Sequence, residues 1–338
     1  MRTDDEGRIN NLFKAARERR ADFTGDKIFT YGFVYFSTYC GNDCAFCYYR
    51  KSNDINRYRK SAEEVLELAK GLAASGVNLL DLTMGEDPEY HAEGFETVIA
   101  LIRSIKKEIG LPVMVSAGVV SDKVIDEFAA SGADWYALYQ ETHNRSLFEK
   151  LRLGQDYDER MRCKAYAGKK GLMIEEGLMS GVGESPEDIA DSVMRMAANG
   201  ASQMRVMSFV PQKGSPMADI KAPDRMMELK TISILRLMYP EALIPASLDV
   251  EGLSGLKDRI DAGANLVTSI IPPNRGLAGV AQSCMDVDDG GRTLSEVSKV
   301  LGTMNLRTAT NDEYKEYLGY LSLASGKGAK PENRANYS

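Results

Sequence analysis

An α/β chain folded as a single (βα)8 TIM-type barrel, with an N-terminal helical extension and a short C-terminal one, is the architecture this sequence predicts. Short β-rich apolar segments recur eight times, and stretches of helical periodicity separate them. The 338 residues, 43% apolar and 27% charged, match one elaborated barrel with one large core.

The barrel is expected over residues 28–309. Its strand candidates are 28–36, 79–83, 113–116, 135–139, 173–179, 204–209, 243–248 and 266–271, each rich in β-branched or aromatic residues. Helix signals lie between them. Ser61-Ala-Glu-Glu64 forms a capping box for a helix over 62–74 that closes at Ser75-Gly76. Ser185-Pro-Glu-Asp188 reads as an N-cap with proline at the first helical position. A doubly wound open sheet and a six-strand partial barrel are the alternatives to full closure. Residues 1–27 read as a polar helical preface with Leu12, Phe13 and Ala16 on one face. Residues 310–338 read as a polar tail, and 325–333 has a frayed, disorder-like composition.

A net charge of −7 argues against a nucleic-acid partner, so Lys169-Lys170 and the Arg17-Glu-Arg-Arg20 group are expected on solvated helix faces. No run approaches the roughly 18–20 apolar residues that a membrane span requires, and no secretory h-region follows Met1. A cytoplasmic protein with a small-molecule partner, and no membrane association, is the expectation.

Three of the five cysteines fall on one short loop, Cys40-Gly-Asn-Asp-Cys44-Ala-Phe-Cys47, directly after the first strand candidate. Three thiolates so placed can bind three irons of a [4Fe-4S] cubane and leave the fourth iron open to a ligand. Zinc fits less well, because structural sites want four ligands in paired spacings while His91, His143, Cys163 and Cys284 are scattered. Disulfides suit an oxidising compartment, which this cysteine usage does not suggest. An electron carrier would need a fourth cysteine on its cluster.

The CxxxCxxC spacing, with an aromatic residue before the last cysteine, resembles the signature of the radical S-adenosylmethionine (SAM) superfamily. That resemblance implies one [4Fe-4S] cluster, held by Cys40, Cys44 and Cys47, with SAM on the open iron as source of a 5′-deoxyadenosyl radical. Met84-Gly85-Glu86-Asp87-Pro88 is similar to the superfamily's GGE-type turn, with Met in place of the first Gly. Tyr139-Gln140-Glu141-Thr142, Ser180-Gly181-Val182-Gly183-Glu184 and Tyr157-Asp-Glu-Arg160 are similar to SAM-contacting segments of the biotin-synthase-like branch. The cofactor contacts so implied are Tyr48, Gly85, Glu86, Ser116, Gln140, Glu141, Arg160 and Val182. From the residues alone, 84–88 also reads as an ordinary turn and Arg160 as a surface helix arginine.

Longer strings narrow the resemblance. Tyr35-Phe-Ser-Thr-Tyr-Cys40, Asp81-Leu-Thr-Met-Gly-Glu-Asp-Pro88, Pro245-Ala-Ser-Leu-Asp249 and Ala262-Gly-Ala-Asn-Leu-Val-Thr-Ser269 resemble the methylornithine synthases of pyrrolysine biosynthesis. The family isomerises L-lysine to (3R)-3-methyl-D-ornithine, with a donor such as flavodoxin or ferredoxin to reduce the cluster. A zwitterion in a closed lumen needs opposite charges around it, since an unpaired buried charge costs several kcal/mol. The resemblance implies Arg205 for the carboxylate and Asp81, Ser247 and Asp249 for the amino groups. Ser247 and Asp249, two apart, face the same side of an extended strand. Each of the four also reads as a supporting salt bridge. Rival functions are another biotin-synthase-like activity, sulfur insertion or amino-acid C–C cleavage, and a non-catalytic iron–sulfur carrier. Sulfur insertion calls for a second set of cluster cysteines, which Cys163 and Cys284 do not supply by position.

Overall fold

The computed structural model describes residues 1–272 and 291–324. In chain order the elements are α1 (Glu6–Thr24), β1 (Lys27–Ser37), α2 (Ala62–Ser75), β2 (Leu79–Met84), α3 (Pro88–Ala92), α4 (Glu96–Glu108), β3 (Val113–Ser116), α5 (Asp122–Ala130), β4 (Trp135–Ala137), α6 (Arg145–Leu151) and α7 (Tyr157–Lys169). There follow β5 (Met173–Ser180), α8 (Pro186–Ala198), β6 (Ala201–Ser208), α9 (Met226–Met238), β7 (Pro245–Ser247), a 3-10 turn (Gly252–Gly255), α10 (Leu256–Asp261), β8 (Leu266–Ile270), α11 (Leu294–Thr303), β9 (Arg307–Thr308) and α12 (Asn311–Ala324).

Eight parallel strands run in the order β6-β5-β4-β3-β2-β1-β8-β7. The seam between β6 and β7 is closed by a parallel bridge of Gln203 with Leu243, in which Met204 N donates to Leu243 O at 2.9 Å and Leu243 N to Ser202 O at 3.0 Å. The barrel is therefore nearly closed, as the eightfold alternation predicts. Helices cover its outside and side chains fill its inside, so the strands are buried on both faces; in β1 only Lys27 is not buried. The two capping signals form as read. Ser61 and Glu64 cap α2 reciprocally, with Gly76 left-handed beyond its end, and Ser185 and Asp188 do the same for α8.

Several strand bounds shift by a residue from the sequence reading, β7 shortens from 243–248 to Pro245–Ser247, and two further differences have a physical reason. β6 starts at Ala201 because Ala201 and Gln203 pair with Ile174 and Glu175, a tertiary contact that overrides their weak β propensity. β4 stops at Ala137 because the chain leaves the ladder at Tyr139 and Gln140 and returns to β5 only at a left-handed Glu141, φ 67°, which bridges Leu178.

Both extensions are bound into the domain. α1 packs on α9 and α10 with Ile9, Ala16, Arg20 and Thr24 buried and Phe13 partly so; Leu12 is half-buried. Arg20, expected on a solvated face, is instead buried. Its guanidinium donates to Ile260 O at 2.9 Å, beside the turn bond that the same carbonyl accepts from Gly263 N at 3.0 Å at the end of α10. The polar tail expected over 310–338 is also corrected in its first part. β9 pairs with β1, and α12 lays Tyr314, Tyr317, Leu318 and Leu321 across the N-terminal ends of the strands, against Phe29, Leu79, Trp135 and Leu266. The Phe29 ring lies 4.8 Å from Tyr317 and 5.3 Å from Tyr314. The reading missed this helix because its apolar face is made of tyrosines whose hydroxyls still read as polar. Residues 325–333 and Cys284 lie outside the described residues.

This aromatic plug closes the bottom of the barrel and confines access to the opposite end. Tyr314→Ala is expected to destabilise the protein by about 3 kcal/mol, the usual cost of removing a buried ring. A lower urea midpoint at unchanged m value measures it.

Candidate active site

At the C-terminal ends of the strands, where a (βα)8 barrel gathers its chemistry, lies a cavity of about 210 Å³. Eleven of the expected site residues line it: Cys40, Cys44 and Cys47, then Gly85, Glu86, Ser116, Glu141 and Arg160, and lastly Asp81, Arg205 and Asp249.

The cysteine loop is held by the turn after β2. Gly85 N donates to Ser37 O at 3.0 Å and Gly41 N to Glu86 O at 2.8 Å, which draws the two backbones together. A Cβ at position 85 would stand 2.2 Å from Tyr39 O and 3.0 Å from Cys40 Cβ, so only glycine fits. From outside, Arg57 donates to the carbonyls of Thr38, Tyr49, Arg50 and Asn53 at 2.5 to 3.2 Å, gathering the loop around one guanidinium. Cys44 Sγ accepts from Gln155 Nε2 at 3.0 Å, and Arg152 approaches it at 3.8 Å. Burial pushes the Cys40 thiol up to about 11, helped by Cys44 and Glu86, and pushes Cys47 higher still. Three thiols turned into one cavity, with burial raising the pKa of Cys40 and Cys47, are a donor set that fits an iron–sulfur cluster. Among the described residues no three His, Cys, Asp or Glu side chains converge on a single-ion site.

Above the thiols the cavity wall carries two buried ion pairs. Arg160 pairs with Glu86 at 3.1 Å and donates to Tyr139 O at 2.9 Å; Arg152 pairs with Glu141 at 2.7 Å. Arg160 is 2% exposed, which decides against the surface-arginine alternative. Glu86 lies across Gly118, where a Cβ would stand 1.8 Å from its Cγ. Burial pushes the Glu141 carboxyl up, against the pull of Arg152 and Arg160.

Four expected residues are not brought to the cavity. Gln140 is wholly buried behind it, accepting from Lys164 Nζ at 3.0 Å and donating to Tyr157 O at 3.2 Å. Val182 packs in a small apolar cluster with Ala45, Leu151, Met179 and Phe209. Tyr48 turns its ring edge to Tyr49, 5.4 Å away, and Tyr49 takes the lining position. Ser247 stands behind Asp249, its Oγ donating to Oδ2 at 3.2 Å.

The floor is made of charge. Arg205 is fixed on several sides: Nε donates to Glu175 Oε1 at 2.8 Å, Nη1 to Thr268 Oγ1 at 3.2 Å, and Nη2 to the Tyr31 hydroxyl. Asp249 pairs with Arg292 at 2.9 Å and accepts from Ser269 Oγ at 2.5 Å. Asp81 has no such partner. Its Oδ1 is buried without a hydrogen bond, and burial, with Glu175 as the next influence, pushes its carboxyl up to about 8.

Sequence reasoning missed Glu175, Arg152, Gln155 and Arg292. Glu175-Glu176 inside an otherwise apolar strand is a signal that could have found the first, because a charged residue on a doubly buried strand needs a partner. Arg292 carries no local signal.

Comparison with known proteins agrees with this geometry. The model of the radical SAM superfamily matches residues 34–196. The chain is 42% identical to 3-methylornithine synthase of Methanosarcina acetivorans over 93% of its own length and 90% of that protein's. Identity to the Methanosarcina barkeri 3-methylornithine synthase is also 42%, over 92% of this chain and 89% of the relative. A crystal structure of methylornithine synthase superposes with a TM-score of 0.89 at 40% identity, covering 93% of each chain.

Anaerobic reconstitution followed by iron analysis tests the thiol loop. Cys40→Ala, Cys44→Ala, Cys47→Ala and Gly85→Ala are each expected to lose bound iron. Cys163→Ala, whose thiol is buried against the Tyr136 hydroxyl and Val120 O, is expected to keep it.

Proposed function

The chain belongs to the 3-methylornithine synthase family of the radical SAM superfamily, and from that premise we propose that it is an isomerase converting L-lysine to (3R)-3-methyl-D-ornithine, the opening step of pyrrolysine biosynthesis. Cys40, Cys44 and Cys47 hold a [4Fe-4S] cluster that, with SAM bound and an electron from a flavodoxin- or ferredoxin-type donor, supplies a 5′-deoxyadenosyl radical. Arg160 takes the SAM carboxylate, while Gly85, Glu86, Ser116 and Glu141 form the wall against its amino and ribose groups.

The observation that carries the substrate is the unpaired Asp81. Around the floor three buried carboxylates, Asp81, Glu175 and Asp249, meet two guanidiniums, Arg205 and Arg292. Among the described residues one negative charge is left over, and burial, which pushes the Asp81 carboxyl up to about 8, favours a proton on it in the empty lumen. Lysine, with two ammonium groups and one carboxylate, brings one net positive charge and replaces that proton. Its carboxylate meets Arg205, and its amino groups meet Asp81 and the Asp249–Ser247 pair. Skeletal rearrangement demands that reactive fragments stay in place. Tyr31, Phe33, Tyr35, Tyr139 and Phe209 wall the lumen with rings, which confines fragments and excludes water.

Reconstituted protein incubated anaerobically with SAM, a reductant and ¹³C-lysine is expected to yield a branched isomer of unchanged mass, identified by NMR. SAM cleavage that leaves the lysine skeleton intact would overturn the substrate.

A pH dependence follows from Asp81. Its carboxyl is protonated in the empty lumen below about pH 8, whereas a bound ammonium favours the carboxylate. Lysine binding should therefore release a proton at neutral pH and weaken by about tenfold per unit as pH falls below that value. Calorimetry in buffers of different ionisation enthalpy reads the release, and Asp81→Asn is expected to abolish it.

A further inference from the structure

Glu175 stands just outside the cavity wall, wholly buried on β5, and the roles assigned above leave it only as part of a charge count. Its position is more specific than that. One oxygen, Oε1, accepts from Arg205 Nε, while the other, Oε2, is buried with no hydrogen-bond partner. Arg205 cannot turn away from this contact. Its guanidinium lies between two rings, 5.8 Å from Tyr31 and 5.5 Å from Tyr139, with Thr268 and the Tyr31 hydroxyl taking further N–H groups. Gly177 makes room for the stack, since a Cβ there would stand 3.0 Å from Tyr139 Cδ1 and 3.3 Å from Arg205 Cβ. With Nε and one N–H of each terminal nitrogen occupied, what Arg205 keeps for a ligand is the second N–H of Nη2 and that of Nη1, which lies 3.8 Å from Met207 Sδ.

We propose that Glu175 is a specificity-determining positioning residue: it turns Arg205 so that its terminal nitrogens meet the substrate carboxylate, and its charge makes the floor select a basic amino acid over a neutral one of the same length. This rests on the lysine reading of the lumen. The groups that face Glu175 and Asp81 are Tyr31 from β1, Tyr139 beyond β4, Arg205 from β6, Asp249 beyond β7 and, from below, Tyr314 on α12. Burial pushes all three tyrosines well up, so they stay neutral phenols and the charges that matter are those of Arg205 and Asp249. Asp81 therefore senses Glu175 directly, and removing the charge should lower the pH at which Asp81 titrates.

Glu175→Gln isolates the charge, because an amide oxygen can still accept from Arg205 Nε. Cluster-reconstituted protein with SAM is titrated by calorimetry with lysine and with norleucine, which has the same chain length and lacks the terminal amine. In ligand-free protein, ¹³C NMR of labelled aspartate carboxyls follows the titration of Asp81. The wild type should prefer lysine, and Glu175→Gln should cut that preference by about tenfold or more while the Asp81 midpoint moves down by about a unit. Glu175→Leu should weaken both ligands, since the Arg205 fork is then unsupported. Unchanged preference together with an unmoved Asp81 midpoint in Glu175→Gln would overturn the proposal. A wild type that binds neither amino acid refutes the lysine reading instead, and the NMR titration then decides Glu175 alone: an unmoved midpoint sinks it, a lowered one sustains it. If Glu175→Gln fails to fold, Glu175→Asp takes its place. It keeps the charge and shortens the reach, so it should retain the preference for lysine and lose affinity for both ligands; a lost preference would count against the proposal.

Discussion

A charge withdrawn from water must find its opposite inside the protein, and the upper half of this barrel is arranged around that requirement. Several ion pairs lie there, buried or largely so, and each joins different elements or loops: Arg205 with Glu175, Arg292 with Asp249, Arg152 with Glu141, Arg160 with Glu86 and Lys164 with Glu176. Replacing such pairs with apolar residues is often neutral or stabilising, so stability alone does not explain them. Their value lies in geometry. The first four hold a side chain in one orientation at the wall or floor of the cavity before any ligand arrives, and Lys164 with Glu176 braces Gln140 behind it.

The two ends of the barrel divide the work. At the N-terminal ends of the strands α12 seals the lumen with tyrosine and leucine packing, and Asn78 ties that seal to β1 by accepting from Thr30 N at 2.9 Å and donating to Ala309 O at 3.0 Å. At the other end the close backbone approach at Gly85 sets where the thiols stand, and the ion pairs set where the charges stand. The apolar packing at the base suits a polar open end, because it puts low-dielectric side chains beneath the charges at the floor.

Much of this was legible in the sequence, for identifiable reasons. The eight strands read clearly because parallel barrel strands are buried on both faces and so appear as short apolar runs bounded by turn residues. The thiol loop read clearly because its chemistry is local, three ligands on one loop. What stayed hidden depends on contacts across the chain. Gln140 is as polar as Glu141 beside it, yet one points into a buried network with Lys164 and the other toward Arg152, and alternation along a strand does not extend past the left-handed turn at Glu141. Ser247 and Asp249 do share a side, but Asp249 reaches the cavity and Ser247 supports it from behind. Arg292 comes from a segment far beyond β8 and meets Asp249 only because Ile271 N binds Arg292 O at 3.1 Å, a tertiary hydrogen bond with no sequence trace.

The pairs also explain why Asp81 is informative by being the exception. Wherever the floor presents a charged group to the cavity, a counter-charge stands behind it: Glu175 behind Arg205, Arg292 behind Asp249. Asp81 faces the same space from β2 with Thr83 beside it and, among the described residues, no cation paired with it. A buried carboxylate in that position is costly to keep ionised, and a fold optimised for stability alone would replace it or pair it. Keeping it unpaired is a cost that ligand binding can relieve. On the proposed lysine reading, the same group that costs stability in the empty lumen gives selectivity to the filled one, since a ligand without a cation at that point leaves the carboxyl either protonated or uncompensated.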